Sequence, residues 1–141
     1  MQIGALGDIH GEFETVDAIM MRHAEVPLWV QVGDIASNDG EYFQPDRPLY
    51  WIKGNNEDYD VIADSIAGRS PAPTLCYLKN GGPHKVGPWR VAALGGTFAP
   101  SWYNTPAGAL PPSRGKRTAN AAVKLGKSRD DKRRHFVREE V

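Results

Sequence analysis

The chain has 141 residues, 40% apolar and 24% charged, which suits one soluble globular domain with a core of its own. No apolar run approaches the roughly 18 residues of a membrane span. The opening "MQIGALGDIHG" reads as structure rather than as a secretory leader, and the single Cys76 excludes an internal disulfide and points to a reducing, cytoplasmic setting. The 17 basic and 17 acidic residues cancel, but unevenly: residues 1–112 hold 7 basic and 13 acidic, whereas residues 113–141 hold 10 basic and 4 acidic. An acidic body with a basic tail fits either a solvated tail or an anionic partner.

In chain order, "QIGALG" (2–7) is a short β-like run. Residues 12–24 place Phe13, Val16, Ile19 and Met20 at helical spacing, and Pro27 marks the end of that helix. "LWVQVGD" (28–34) reads as a buried strand, followed by the turn-rich loop "IASNDGEYFQPDR". "PLYWIKGN" (48–55) is a third strand, with Tyr50 and Trp51 expected in the core. "EDYDVIADSIAG" (57–68) is a helix with acidic residues in its first turn. "TLCYLKNGG" and "WRVAALGG" are expected to pair with each other through Gly81, Gly82 and Pro83, with Cys76 as a small buried side chain. Residues 97–127 read as an irregular surface excursion with short helical turns. "SRDDKRRHFVREEV" reads as a basic helix opening at Ser128 or Asp130. The alternation of strands and helices specifies an α/β fold with a central sheet.

Each of the first three strands ends in metal-competent residues. "GDIHG" supplies Asp8 and His10, "GDIAS" supplies Asp34, and "GNNED" supplies Asn55, with Asn56, Glu57 and Asp58 behind it. Any one of these is an ordinary turn former; three in succession at strand ends are not. Ligands of open α/β sheets bind at the carboxyl ends of the strands, and right-handed crossovers bring those ends to one rim. Two carboxylates, an imidazole and an amide form a hard N/O donor set suited to Mn²⁺, Fe, Zn²⁺ or Mg²⁺. Two such ions roughly 3.5–4 Å apart stabilise both the attacking and the leaving oxygen at phosphorus.

The ordered trio "GDIHG", "GDIAS", "GNNED" resembles the calcineurin-like metallophosphoesterases, whose motifs read D-x-H, G-D and G-N-H-D/E. The resemblance covers residues 1–96 and includes "ALGGTF", similar to a glycine-rich strand end of that family. It implies a metallophosphoesterase-like α/β sandwich, of which this chain holds the N-terminal half to two-thirds. It also implies two divalent ions, with Asp8 and His10 on one, Asp34 bridging and Asn55 on the second. The implied activity is hydrolysis of a phosphate mono- or diester in a phosphorylated small molecule, nucleotide or phosphoprotein. Asn56 stands where the family often has His. Its amide is expected to hydrogen-bond a phosphoryl oxygen as a catalytic and substrate-binding residue, but is no general acid at neutral pH. Glu57 is expected to cap the following helix or to support the metal ligands from behind.

The family's downstream histidines, a single His and then G-H-x-H, have no counterpart here. His23, His84 and His135 read as surface residues, His84 on a turn and His135 on a helix. The expectation is therefore one domain over 1–141, incomplete at its C-terminal side, with one ion or none retained as the alternative to two. That alternative describes a degenerate phosphoesterase that binds a metal or a partner without turnover. Trp102 and Tyr103 are candidates for stacking a base or ring. Arg114, with Lys116 and Arg117, is a candidate for substrate phosphate, or for a nucleic-acid backbone.

Overall fold

Four parallel strands, β1 (Gly4–Leu6), β2 (Trp29–Gln31), β3 (Leu49–Trp51) and β4 (Leu75–Tyr77), lie side by side in chain order. They come from a computed structural model that describes residues 2–111 and 131–141. The register aligns Gly4 with Trp29, Trp29 with Leu49 and Leu49 with Leu75. Helices α1 (Phe13–Arg22) and α2 (Tyr59–Ile66) cross over between β1 and β2 and between β3 and β4. A sheet built in chain order by right-handed crossovers carries its helices on one face. Val16 and Met20 of α1 and Tyr59 and Ile62 of α2 accordingly form one core with Trp29, Leu49, Trp51 and Leu75.

The period of two along each strand sends alternate residues to the opposite face. There Val30, Tyr50 and Ile52 meet Leu28, Leu78, Val86 and Ala93 in a second, smaller core. Val86 and Ala93 belong to an antiparallel pair, β5 (Gly81–Val86) and β6 (Trp89–Ala93). The molecule is thus a small α/β fold. Trp51, expected in the core, is fully buried, with ring centroids 5.3 Å from Tyr42 and 4.8 Å from Tyr77. Burial of such a side chain contributes about 3 kcal/mol. Tyr50 and Cys76 are half-buried, and burial raises the Cys76 thiol above its usual range. Among the described residues, no helix is long and apolar enough to cross a membrane.

Two sequence expectations need correction. "TLCYLKNGG" does not pair with "WRVAALGG" as a unit. Its first part is β4, drawn into the parallel sheet by the fully buried Leu75, and its last two residues open β5. The hairpin turn falls later, where Gly87 adopts φ 57° ahead of Pro88 and Val86 faces Trp89. Asn80 ties the two regions together, its amide oxygen accepting from Gly95 N at 2.7 Å and its Nδ2 donating to Gly95 O at 3.0 Å.

The C-terminal stretch is not a helix either. Asp131 caps a single 3-10 turn (Lys132–Arg134), a second turn follows (Arg138–Glu140), and between them His135 pairs with Thr97 in a parallel bridge. The reason is competition for carbonyls. Lys53 Nζ donates to Arg133 O at 3.2 Å and to His135 O at 2.9 Å, both of which a helix would need for itself. The expected start of that helix, at Ser128 or Asp130, lies outside the described residues. Of the excursion over 97–127, the described part holds one short helix, α3 (Pro100–Tyr103).

Candidate metal centre

Parallel strands end at a common rim, and three loops leave it here: after β1, after β2 and after β3. They are laced through their backbones. Asp8 N donates to Gly33 O at 3.3 Å and His10 N to Asp34 O at 2.8 Å. Asn56 N donates to Asp34 Oδ1 at 2.7 Å. Gly54 makes this possible: a Cβ there would lie 2.0 Å from Asp34 Oδ1 and 2.3 Å from Asp34 N, so any side chain would drive the second and third loops apart.

The lacing brings Asp8, His10 and Asp34 together. His10 Nε2 lies 3.0 Å from Asp8 Oδ1 and 4.0 Å from Asp34 Oδ2. One ligand atom from each of the three falls within 4.8 Å of the others. An ion with bonds of about 2.1 Å spans about 4.2 Å between opposite ligands. The two separations from the imidazole therefore suit a shared ion as they stand, and the widest closes by a few tenths of an ångström. Among the described residues, no other group of three His, Cys, Asp or Glu side chains converges in this way. The cluster opens to solvent on one side, with the Asp8 side chain 78% exposed and that of Asp34 only 14%.

Backbone strain marks the same three residues. Asp8 (φ 55°), His10 (φ 48°) and Asp34 (φ 60°) are the non-glycine residues with positive φ among those described. The left-handed region costs an L-residue about 1–2 kcal/mol. Sites of that kind persist where the surrounding structure over-determines them, and they cluster at functional sites. Glycine at any of the three would remove the strain along with a donor atom.

Behind the rim sits Glu57, 1% exposed. Its carboxylate accepts from Ile35 N at 3.1 Å, Ala36 N at 3.3 Å, Gly54 N at 3.3 Å and the Tyr42 hydroxyl at 3.0 Å. It thereby fixes the loop after Asp34 to the one after β3. Burial pushes its carboxyl up to about 7, against the four hydrogen bonds that favour the charged form. The cap of α2 is Asp58, which accepts from Asp60 N at 3.0 Å, so of its two expected roles Glu57 fills the supporting one. Tyr42 and Gln31 escaped the sequence reading. Gln31 clasps both backbone groups of Gly33, accepting from its N–H at 2.9 Å and donating to its carbonyl. A lone polar residue in the apolar run "LWVQVGD" was the available signal; Tyr42, in a polar loop, offered none.

Of the other expected site residues, Asn55 is exposed in the bend after Gly54. Asn56 is half-buried, with its Nδ2 3.0 Å from His10 Nδ1. Arg114, Lys116 and Arg117 lie outside the described residues. Trp102 and Tyr103 are half-buried in and at the end of α3, and Tyr103 stands edge-on to Phe98 at 5.3 Å. His23 is exposed beside Glu25, at 3.5 Å. His84 lies in β5, half-buried rather than on a turn, its Nε2 2.6 Å from Lys79 O. His135 departs furthest from expectation: it is 6% exposed, with Nδ1 2.9 Å from Thr97 Oγ1. Burial, with Arg134, Lys132 and Lys53 nearby, holds its imidazole below the usual range. No family model matches the chain, and neither a curated protein nor a solved structure matches it.

Proposed function

We propose that the chain is a metal-dependent phosphoesterase of the metallophosphoesterase-like α/β type, acting on a phosphate mono- or diester. The observation that supports this most is the coincidence of donor chemistry with backbone strain: the residues that converge as ligands are the ones held in the left-handed region. Asp8, His10 and Asp34 would hold a divalent ion, their two carboxylates offsetting its charge. Such an ion supplies Lewis acidity toward a phosphoryl oxygen and a water of lowered pKa. The protein's part is preorganisation. Asn56 N–H fixes one oxygen of Asp34 and leaves the other turned to His10. Glu57 holds the two loops from behind, and exposed Asp8 borders the side from which an ester would approach.

Purified protein is expected to cleave an aryl phosphate mono- or diester with Mn²⁺ stimulation, and Asp34→Ala to lose that activity by at least two orders of magnitude. Equal rates in wild type and variant would exclude catalysis at this centre. A second reading, metal binding without turnover, draws on the three-residue ligand set, enough for one ion, with Asn55 exposed. It predicts one tightly held ion per chain by elemental analysis and no hydrolysis of either ester.

A further inference from the structure

We infer that Asn56 holds the His10 ring in place whichever nitrogen carries the proton, leaving Nε2 able to take a cation, through an amide that serves both tautomers of the ring; this rests on the metal reading above. The two ring nitrogens face different partners. Nε2 is turned to the carboxylates, 3.0 Å from Asp8 Oδ1 and 4.0 Å from Asp34 Oδ2. Nδ1 is turned to the Asn56 amide, 3.0 Å away. A cation shared with the two carboxylates therefore meets Nε2, and imidazole ligates only through a nitrogen that carries no proton. The remaining proton then sits on Nδ1, where it needs an acceptor to fix the ring. Without a cation the reverse arrangement is satisfied: Nε2–H donates to Asp8, and Nδ1 accepts from Asn56 Nδ2.

An amide carries a donor and an acceptor on one carbon. A half-turn of the Asn56 side chain about its last bond therefore exchanges Nδ2 for Oδ1 at the ring and meets the needs of the second state. The half-turn does not disturb the Asn56 backbone, whose N–H holds Asp34 Oδ1 at 2.7 Å. Alanine offers the ring neither group, and aspartate offers an acceptor only. The three side chains thus separate the ring contact from the backbone contact, which all of them retain. Asn56 is in this sense a positioning residue: it acts on the metal through the back of a ligand.

The test uses the full chain as wild type, Asn56→Ala and Asn56→Asp. Zn²⁺ and Mn²⁺ affinities are measured by calorimetry, and the protonated nitrogen of His10 is read from long-range ¹H–¹⁵N spectra before and after Zn²⁺. Metal-free wild type is expected to carry the proton on Nε2 and the Zn²⁺-loaded protein on Nδ1. Asn56→Ala is expected to bind Zn²⁺ roughly 10–100-fold more weakly. Asn56→Asp is expected to carry the Nδ1 proton already without metal and to bind at least as tightly as wild type. A purely structural role would destabilise both variants and leave the tautomer where it was. If wild type binds Zn²⁺ and Asn56→Ala binds it equally well, or if all three metal-free proteins share one tautomer, the inference is overturned alone. If wild type binds neither ion, the metal centre is overturned with it.

Discussion

At the scale of single residues, the candidate centre combines two liabilities that a purely structural loop would avoid: non-glycine residues in the left-handed region and a buried acid. Asp8 tests the first. Its side chain is exposed, its φ is 55°, and its contact with His10 Nε2 at 3.0 Å is lost alike on replacement by glycine or alanine. Asp8→Gly is expected to be about 1 kcal/mol more stable than Asp8→Ala in chemical denaturation, because only alanine retains the strained Cβ, while both lose the carboxylate. Glu57 tests the second. Its carboxyl titrates near 4.5 in the unfolded chain and about 7 when folded, so between those values the folded state holds the extra proton. Stability therefore falls as pH rises through that window, by an amount on the order of 3 kcal/mol. Glu57→Gln cannot ionise, and should gain on wild type by that amount between pH 5 and pH 8. Any fixed offset from the amide group facing the four donors stays constant across that range. A gap that does not change with pH would contradict the burial assigned to this carboxylate.

At the scale of elements, the sequence was most legible where periodicity and polarity agreed. Val16 and Met20 at helical spacing did pack on the sheet, and Trp51 did enter the core. Legibility failed where a distant partner outbid a local preference. "KRRHFVREE" has helical composition, yet Lys53, some 80 residues earlier in the chain, takes the carbonyls of Arg133 and His135. No pattern within the segment announces that. In the same way, "TLCYLKNGG" carries strand propensity only in its first half and turn formers in its second, yet Leu75–Tyr77 joins the parallel neighbour β3 and Gly81 and Gly82 open β5. Lys53→Met tests the first of these. It removes two charge-assisted hydrogen bonds and the approach to Glu140 at 3.6 Å, for a loss of about 2–3 kcal/mol. Hydrogen exchange is expected to accelerate at Thr97 and Phe136, whose amides bond across the bridge, and to stay unchanged in the interior of α1.

At the scale of the whole molecule, the α/β class was legible in the alternation of elements, and the approach of three candidate residues in the repeat of strand ends. Strand-end chemistry repeats three times along the sequence, and the parallel sheet turns that repetition into convergence of Asp8, His10 and Asp34. Of the support behind them, Glu57 was legible at the end of "GNNED", whereas Tyr42 and Gln31 act through geometry rather than motif. The strand order carries one further consequence. Each of β2, β3 and β4 docks on the strand made immediately before it. A chain emerging from the ribosome therefore has every donor atom of the rim in hand by residue 57, while the Thr97–His135 bridge awaits a residue made well after it. The order of synthesis thus places assembly of the candidate centre ahead of the bridge that docks on Lys53.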